Sequence, residues 1–429
     1  MDILLKNALC LLPTKPISFA RKDVLVASNI ISKIAPPNSL PSSSAQETLD
    51  CTRRLLMPGL VNAHAHSGTS LLRGVGDDLQ LHEWLSQAIW PREKKMDEKA
   101  MHSGAMLSIA EMLRSGTTNF NDMYFHMDEV AKAVQESGIR ATLGYGMIDL
   151  GDFEGRGKKE LGESERFIKQ WSGKNSRISV SVSPHAPHTC SKDLLLASKD
   201  LAKKHKCKLH IHLAETRKEL ADILKQTKKR PADYLDSLGL LNKNTVAAHC
   251  VYVSKSEITM MAKRGASIAH CPVSNLKLAS GGAMPMPEML EAGANVCLGT
   301  DGAASNNSLD MFETAKIAAL EQKNFRFDAS VVKADDVLRM AFENGAKALG
   351  INSGKIAAGC LADIILLDLK APNLAPFQPN AGHLLYAAKQ HNITDSMADG
   401  KWLMRERKLL TLDEEKIVEK AQKAAEKLV

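Results

Sequence analysis

Met57-Pro58-Gly59-Leu60-Val61-Asn62-Ala63-His64-Ala65-His66 is the stretch on which the fold turns. An apolar run opens after Pro58-Gly59, and in an extended strand residues two apart point to the same side. His64 and His66 therefore aim two imidazoles in one direction, as two ligands of one metal ion must. A bare HxH is weak evidence, since about 0.5 such pairs are expected by chance among 14 histidines in 429 residues. The chain carries a second, His210-Ile211-His212. Core or surface histidines would account for either pair taken alone.

Working outward, short β-like runs alternate with helical patterns. Leu60–Ala63, Thr117–Asn121, Arg140–Tyr145, Ile178–Val182, Cys207–Leu213, Thr245–Cys250, Ala266–Ala269 and Ala294–Leu298 are rich in β-branched or small apolar residues. Between them lie helices with recognisable starts. Ser191 can cap a helix whose Leu194, Leu195, Ser198, Leu201 and Ala202 share one face. Ser254 and Glu257 have capping-box spacing, and Gly265 can end that helix. Regular strand–helix alternation argues for a parallel sheet, and eight strands suit an α/β fold of the (β/α)₈ TIM-like barrel type.

The chain ends read differently. Ile3–Leu12 and Asp23–Ile34 are strand-like, as are Ala362–Leu367 and a pair within Asp395–Leu410 with Asp399-Gly400 as its turn. The expectation is a small β-sandwich built from both ends beside the barrel: residues 1–56, then the barrel over 57–352, then 353–429 with a terminal amphipathic helix from Leu412.

Composition narrows the function classes. Apolar residues make up 44% and charged residues 24%, an ordinary globular balance. No run is long enough for a membrane span, and the N-terminus lacks a signal-peptide core, so a cytoplasmic protein with no membrane partner is expected. The eight cysteines form no CxxC, which argues against a zinc knuckle. The net charge of +7 is carried partly by Lys203-Lys204-His205-Lys206 and Lys228-Lys229-Arg230 at the polar ends of helices, with no interleaved aromatics, so nucleic-acid binding is not expected.

Position strengthens the histidine signal. His64 and His66 end the first strand, His212 precedes Leu213-Ala214-Glu215, His249 closes Thr245–Ala248, and Asp301 follows Val296–Thr300. Barrel active sites lie at the carboxyl ends of strands, where all of these arrive.

Here the chain resembles the amidohydrolase superfamily, and within it the deaminases of 5′-methylthioadenosine, S-adenosylhomocysteine and 5′-deoxyadenosine. The segments that carry the resemblance are PGLVNAHAHSGTSLLRGVGDDLQLHEWL, IWPRE, SPHAP, HLAET, AAHC, PVSNLKLASG and GTDGAASNNSLDMFE. The resemblance implies one divalent metal per subunit held by His64, His66, His212 and Asp301. It implies that Glu215, His249 and Asp301 act on water and substrate. The chemistry agrees: hydrolytic deamination needs an activated water, and a divalent ion lowers the pKa of its water to about 7. Glu215, three residues beyond a ligand, can move a proton to adenine N1. A helix N-terminal carboxylate is the plainer reading of Glu215, and the less favoured one because ligand and carboxylate occur together. The fourth strand ends Ser181-Val182-Ser183-Pro184-His185 without the lysine that bridges two metals in binuclear members, so one ion is expected. Zinc is the first choice for three nitrogens and one oxygen, with iron the alternative.

The resemblance also implies substrate contacts. Glu93 in Trp90-Pro91-Arg92-Glu93 corresponds to a glutamate that holds the ribose hydroxyls, His185 to a histidine that contacts the nucleoside, and Arg156 to one of two arginines that grip the carboxylate of S-adenosylhomocysteine. Tyr145 stands at the other arginine's position. One arginine clamps a carboxylate less well than two, so the expected substrates are 5′-deoxyadenosine and 5′-methylthioadenosine, with S-adenosylhomocysteine or adenosine as further candidates. A small-molecule nucleoside is thus the expected partner, and a homo-oligomer the expected assembly. The alternatives are an aminohydrolase or chlorohydrolase of the same architecture acting on guanine, a pyrimidine or a triazine, and a silent barrel kept as a scaffold.

Overall fold

The eight runs become eight parallel barrel strands, and the apolar alternation within them explains how they pack. In the computed structural model, which describes residues 2–429 apart from the side chains of His82 and Asp152, the strands are Leu60–His66, Thr117–Tyr124, Arg140–Met147, Ile178–Pro184, Lys208–Leu213, Thr245–His249, Ser267–His270 and Asn295–Leu298. Each pairs in parallel with the next. Phe120, Leu143, Val180 and Val182 are buried and belong to the main apolar core of the molecule. The expected packing of His82 around Trp84 lies outside the described residues.

The ring is completed by the continuation of the eighth strand. After Gly299-Thr300 the chain resumes as Asp301–Gly302 and pairs with the first strand, Asp301 opposite Ala65 and Gly302 opposite His66. Thr300 donates its backbone N–H to Asn62 Oδ1 at 3.0 Å, and Asn62 Nδ2 donates to Thr300 Oγ1 at 2.7 Å. Gly299 is required here, because a Cβ would stand 2.7 Å from the Cβ of His64 and 3.0 Å from its backbone N and O.

The chain ends form a second, mixed nine-stranded sheet. Its hub is Arg54–Pro58, which pairs in parallel with Ile3–Leu12 and antiparallel with Ile364–Asp368. Backbone bonds from Ile31 N to Cys360 O and from Ala362 N to Asn29 O, both 2.8 Å, tie its far strand back to the C-terminal part. The sheet thus curls around its own core of Ile3, Leu5, Val24, Val26, Ile31, Leu56, Ile364, Leu366 and Met397. Its second strand, Ser18–Ala27, starts earlier than the expected Asp23, because polar residues at its start pair with the first strand, Ser18 opposite Leu12. The barrel docks on this sheet through a buried ion pair, Arg140 Nε to Asp363 Oδ2 at 2.9 Å.

The expected helix signals hold. Ser191 accepts from Leu194 N, and all five residues of the expected face are buried. Ser254 and Glu257 make a reciprocal capping box, and Gly265 ends that helix at φ 74°. The terminal helix, Glu414–Glu426, buries Ile417 and Ala421. A short helix, Met286–Glu291, starts within Met284-Pro285-Met286-Pro287, and Met284 and Met286 are buried.

Candidate active site

Strand ends bring the chemistry to one mouth of the barrel. His64 and His66 come from the first strand, His212 from the fifth, and Asp301 from the turn after the eighth. One ligand atom from each lies within 4.8 Å of the others. His64 Nε2 is 3.3 Å and His66 Nε2 3.2 Å from Asp301 Oδ1.

The hydrogen bonds behind these rings decide what they present. His66 donates Nδ1–H to the Met123 carbonyl at 2.6 Å, and His212 donates its own to the His185 carbonyl at 2.8 Å. Such bonds leave Nε2 of each ring free for coordination. The two Nε2 atoms face each other at 3.2 Å. His64 Nδ1 lies 2.8 Å from His210 Nε2, and His64 Nε2 is buried without a hydrogen-bond partner. Nitrogen lone pairs aimed at one point repel each other unless a cation sits among them, so the donor set fits a divalent ion. The carboxylate is oriented in the same way. Asp301 Oδ2 accepts from Ser274 Oγ at 2.7 Å and Ser305 Oγ at 2.6 Å, which leaves Oδ1 for the ion.

A proton is the competing occupant. Burial disfavours a charged ring at His66, but the Asp301 carboxylate outweighs it and raises the pKa to about 9. Burial takes His64 down to about 3 and His212 well below its ordinary value. Burial also opposes the charged form of Asp301, yet its bonds to His64 and His66 hold it well below the usual carboxylate range. Cys271 forms a second cluster with His64 and His249. Burial pushes its thiol well up, and a neutral thiol is a poor ligand.

Strain marks the same positions. His249, Cys250 and Asp301 are left-handed, with φ of 69°, 52° and 63°, a conformation that costs on the order of 1–3 kcal/mol for a residue other than glycine. At the ends of strands six and eight it turns the chain sharply where His249 and Asp301 stand.

Beside these four residues, Glu215 Oε2 lies 3.8 Å from His249 Nε2. Burial raises the Glu215 pKa, with His249 working against it. The helix that follows, Arg217–Thr227, is capped by Thr216. Glu219 accepts the backbone N–H of Ala214 at 2.7 Å and of Glu215 at 2.8 Å. Stabilising the helix start therefore falls to Thr216 and Glu219, and the Glu215 carboxylate is left for chemistry. Asn275 Nδ2 stands 3.1 Å from His249 Nδ1, which directs His249 Nε2–H into the site. Ser274 and Asn275 both ride on the short helix Pro272–Lys277.

Of the expected substrate contacts, two join this cluster. The His185 ring lies 4.6 Å from that of His212, centroid to centroid, and its Nδ1 is 2.9 Å from Thr189 Oγ1. Burial lowers its pKa to about 3, so the ring is neutral. Glu93 ends the short helix Trp90–Glu93 and accepts a hydrogen bond from Tyr124 Oη. Burial raises the Glu93 pKa and the tyrosine bond lowers it. Arg156 is exposed, with its guanidinium over the Phe153 ring at 5.1 Å. Burial raises the pKa of Glu160, which lies beside Tyr145, and the Arg156 charge works against that rise.

Sequence reasoning missed Tyr124, Glu219 and Glu160. Ser274, Asn275 and Ser305 lay in quoted segments but had no role. The spacings of Ser274, Asn275 and Tyr124 from the residues they support carry no periodic signal.

The amidohydrolase family profile matches residues 55–403 of this chain, which therefore belongs to the amidohydrolase family. It is a hydrolase acting on C–N bonds. It is similar to the 5′-deoxyadenosine deaminases of Methanosphaera stadtmanae, 46% identical over 95% of each chain, and of Methanosarcina mazei, 43% identical over 100% of this chain and 98% of the other. Among solved structures it resembles an adenosine deaminase from Xanthomonas campestris with bound zinc, at a TM-score of 0.94 and 35% identity, covering 100% of this chain and 98% of that one.

Proposed function

We propose that this protein removes the 6-amino group of 5′-modified adenosines, 5′-deoxyadenosine and 5′-methylthioadenosine first, giving the inosine analogue and ammonia. The observation that carries the reading is the convergence of three imidazole Nε2 atoms and one carboxylate oxygen beside a buried glutamate and a histidine. The 43–46% identity to proteins named 5′-deoxyadenosine deaminase supports the substrate class.

A single zinc ion held by His64, His66, His212 and Asp301 would supply Lewis acidity and a water of lowered pKa. Asp301 takes one proton from the attacking water as its oxygen bonds to C6. Glu215, whose burial favours the protonated form, delivers a proton to N1. His249 donates Nε2–H to the oxygen at C6 and stabilises charge there. The proton held by Asp301 passes to N6 as the C6–N6 bond breaks, releasing ammonia, and the C6 hydroxyl returns a proton to Glu215 to leave the 6-oxo product. His185, kept neutral, offers a flat face and Nε2 to the nucleoside, and Glu93 accepts the ribose diol. Eight free cysteines agree with a reducing, cytoplasmic setting.

The test is a spectrophotometric screen of adenosine analogues, following conversion of the adenine chromophore to hypoxanthine. Turnover of 5′-deoxyadenosine is expected. A flat response to every analogue would discard the adenine reading while leaving the metal hydrolase intact.

A further inference from the structure

One dipeptide touches both halves of the site. Met123, near the end of the second barrel strand, gives its carbonyl to Nδ1–H of the ligand His66. Tyr124, the last residue of that strand, donates its hydroxyl to Glu93 Oε1. The Tyr124 ring lies 5.7 Å from the His66 ring and is stacked on Phe125 at 4.2 Å, centroid to centroid. Its orientation is therefore set by packing before any ligand arrives. Glu93 sits on a helix of four residues, Trp90–Glu93, outside the barrel, and among the described residues its carboxylate takes no other protein donor. Among the described residues, the tyrosine hydroxyl is thus the hydrogen-bond donor that orients that carboxylate.

We infer that Tyr124 is a positioning residue that sets the distance between the diol-binding carboxylate and the metal centre, and so makes a ribose diol a condition of efficient turnover. This rests on the reading of Glu93 as the diol acceptor. Tyr124 occupies one oxygen, and the second is left to accept from the 2′- and 3′-hydroxyls, within the roughly four lone-pair sites a carboxylate offers. Because Met123 and Tyr124 are consecutive and rigidly held in the sheet, the carboxylate is tied to the first metal ligand through a single stretch of backbone. An adenine whose ribose is engaged then meets the activated water at a fixed offset, which is what precise placement contributes to rate.

The experiment compares wild type with Tyr124→Phe as the zinc-loaded enzymes, measuring kcat and KM for 5′-deoxyadenosine and 2′,5′-dideoxyadenosine, with metal content and thermal midpoint recorded for each. Wild type is expected to prefer the ribonucleoside. In Tyr124→Phe that preference should fall about tenfold, the scale set by loss of a hydrogen bond to a charged group. The change should appear in kcat as well as KM for the ribonucleoside, with kcat for the dideoxy substrate, metal content and midpoint close to wild type. Wild-type indifference to the 2′-hydroxyl would overturn the Glu93 reading and this inference with it. Wild-type discrimination that survives intact in Tyr124→Phe would overturn this inference alone. So would an equal loss of kcat on both substrates, which marks general damage to the site.

Discussion

The serine pair behind Asp301 offers a sharp quantitative test. Ser274 comes from the short helix after the seventh strand and Ser305 from the segment after the eighth, and both hydroxyls donate to Oδ2, at 2.7 and 2.6 Å. Both serines are buried, so water cannot readily replace either donor. Loss of either leaves the carboxylate one donor; loss of both frees it to rotate and withdraw Oδ1 from the ion. Partners of this kind typically hold about 10- to 100-fold in metal affinity. Ser274→Ala and Ser305→Ala should each weaken zinc binding by about tenfold, and the double variant should lose more than the product of the two, since either donor alone still holds the carboxylate. Competition with a chromophoric chelator measures the affinities, and circular dichroism checks the fold. If the double variant holds zinc as tightly as wild type, Asp301 is not a ligand oriented by these serines.

Glu215→Gln should lower kcat by about 10²- to 10⁴-fold, the usual worth of a positioned acid–base group, while zinc content stays unchanged; steady-state kinetics with metal analysis decides. In chelator-treated protein the same variant should also be more stable than wild type at neutral pH. Burial raises the folded-state pKa of Glu215 above 4.5, so its ionised form is penalised once pH exceeds the raised value and not below the unfolded value. The difference in thermal midpoint should vanish near pH 4; a constant difference would contradict the sign. Asn275→Leu should cost about tenfold or more in kcat by releasing the His249 ring, and unaltered kcat would remove Asn275 from the site. Zinc uptake by apoprotein at pH 7.5 should release at least one proton per ion, because His66 keeps its proton up to about 9 beside Asp301. An indicator-dye titration reads this, and the His66 share of the release should fall away above that pH.

Much was legible in the sequence because it is written in local periodicity. The strand runs, the Ser254–Glu257 capping box, the buried face from Leu194 to Ala202 and the two HxH pairs depend on a residue's near neighbours, and so survive without a fold. The pairs even predicted their facing, since alternation alone puts His64 with His66 and His210 with His212. Which member of the second pair binds metal came from resemblance. The structure gives the physical reason: His210 stands behind His64 Nδ1 while His212 reaches the centre. The supporting groups were out of reach for a different reason. Asn275 behind His249, Ser274 behind Asp301, and Tyr124 beneath Glu93 act across breaks of 26, 27 and 31 residues, and no periodicity links such positions. Local sequence fixes which face a side chain takes, because backbone geometry repeats every two or 3.6 residues. Only closure of the barrel decides which faces meet, because that depends on where eight strand ends arrive together.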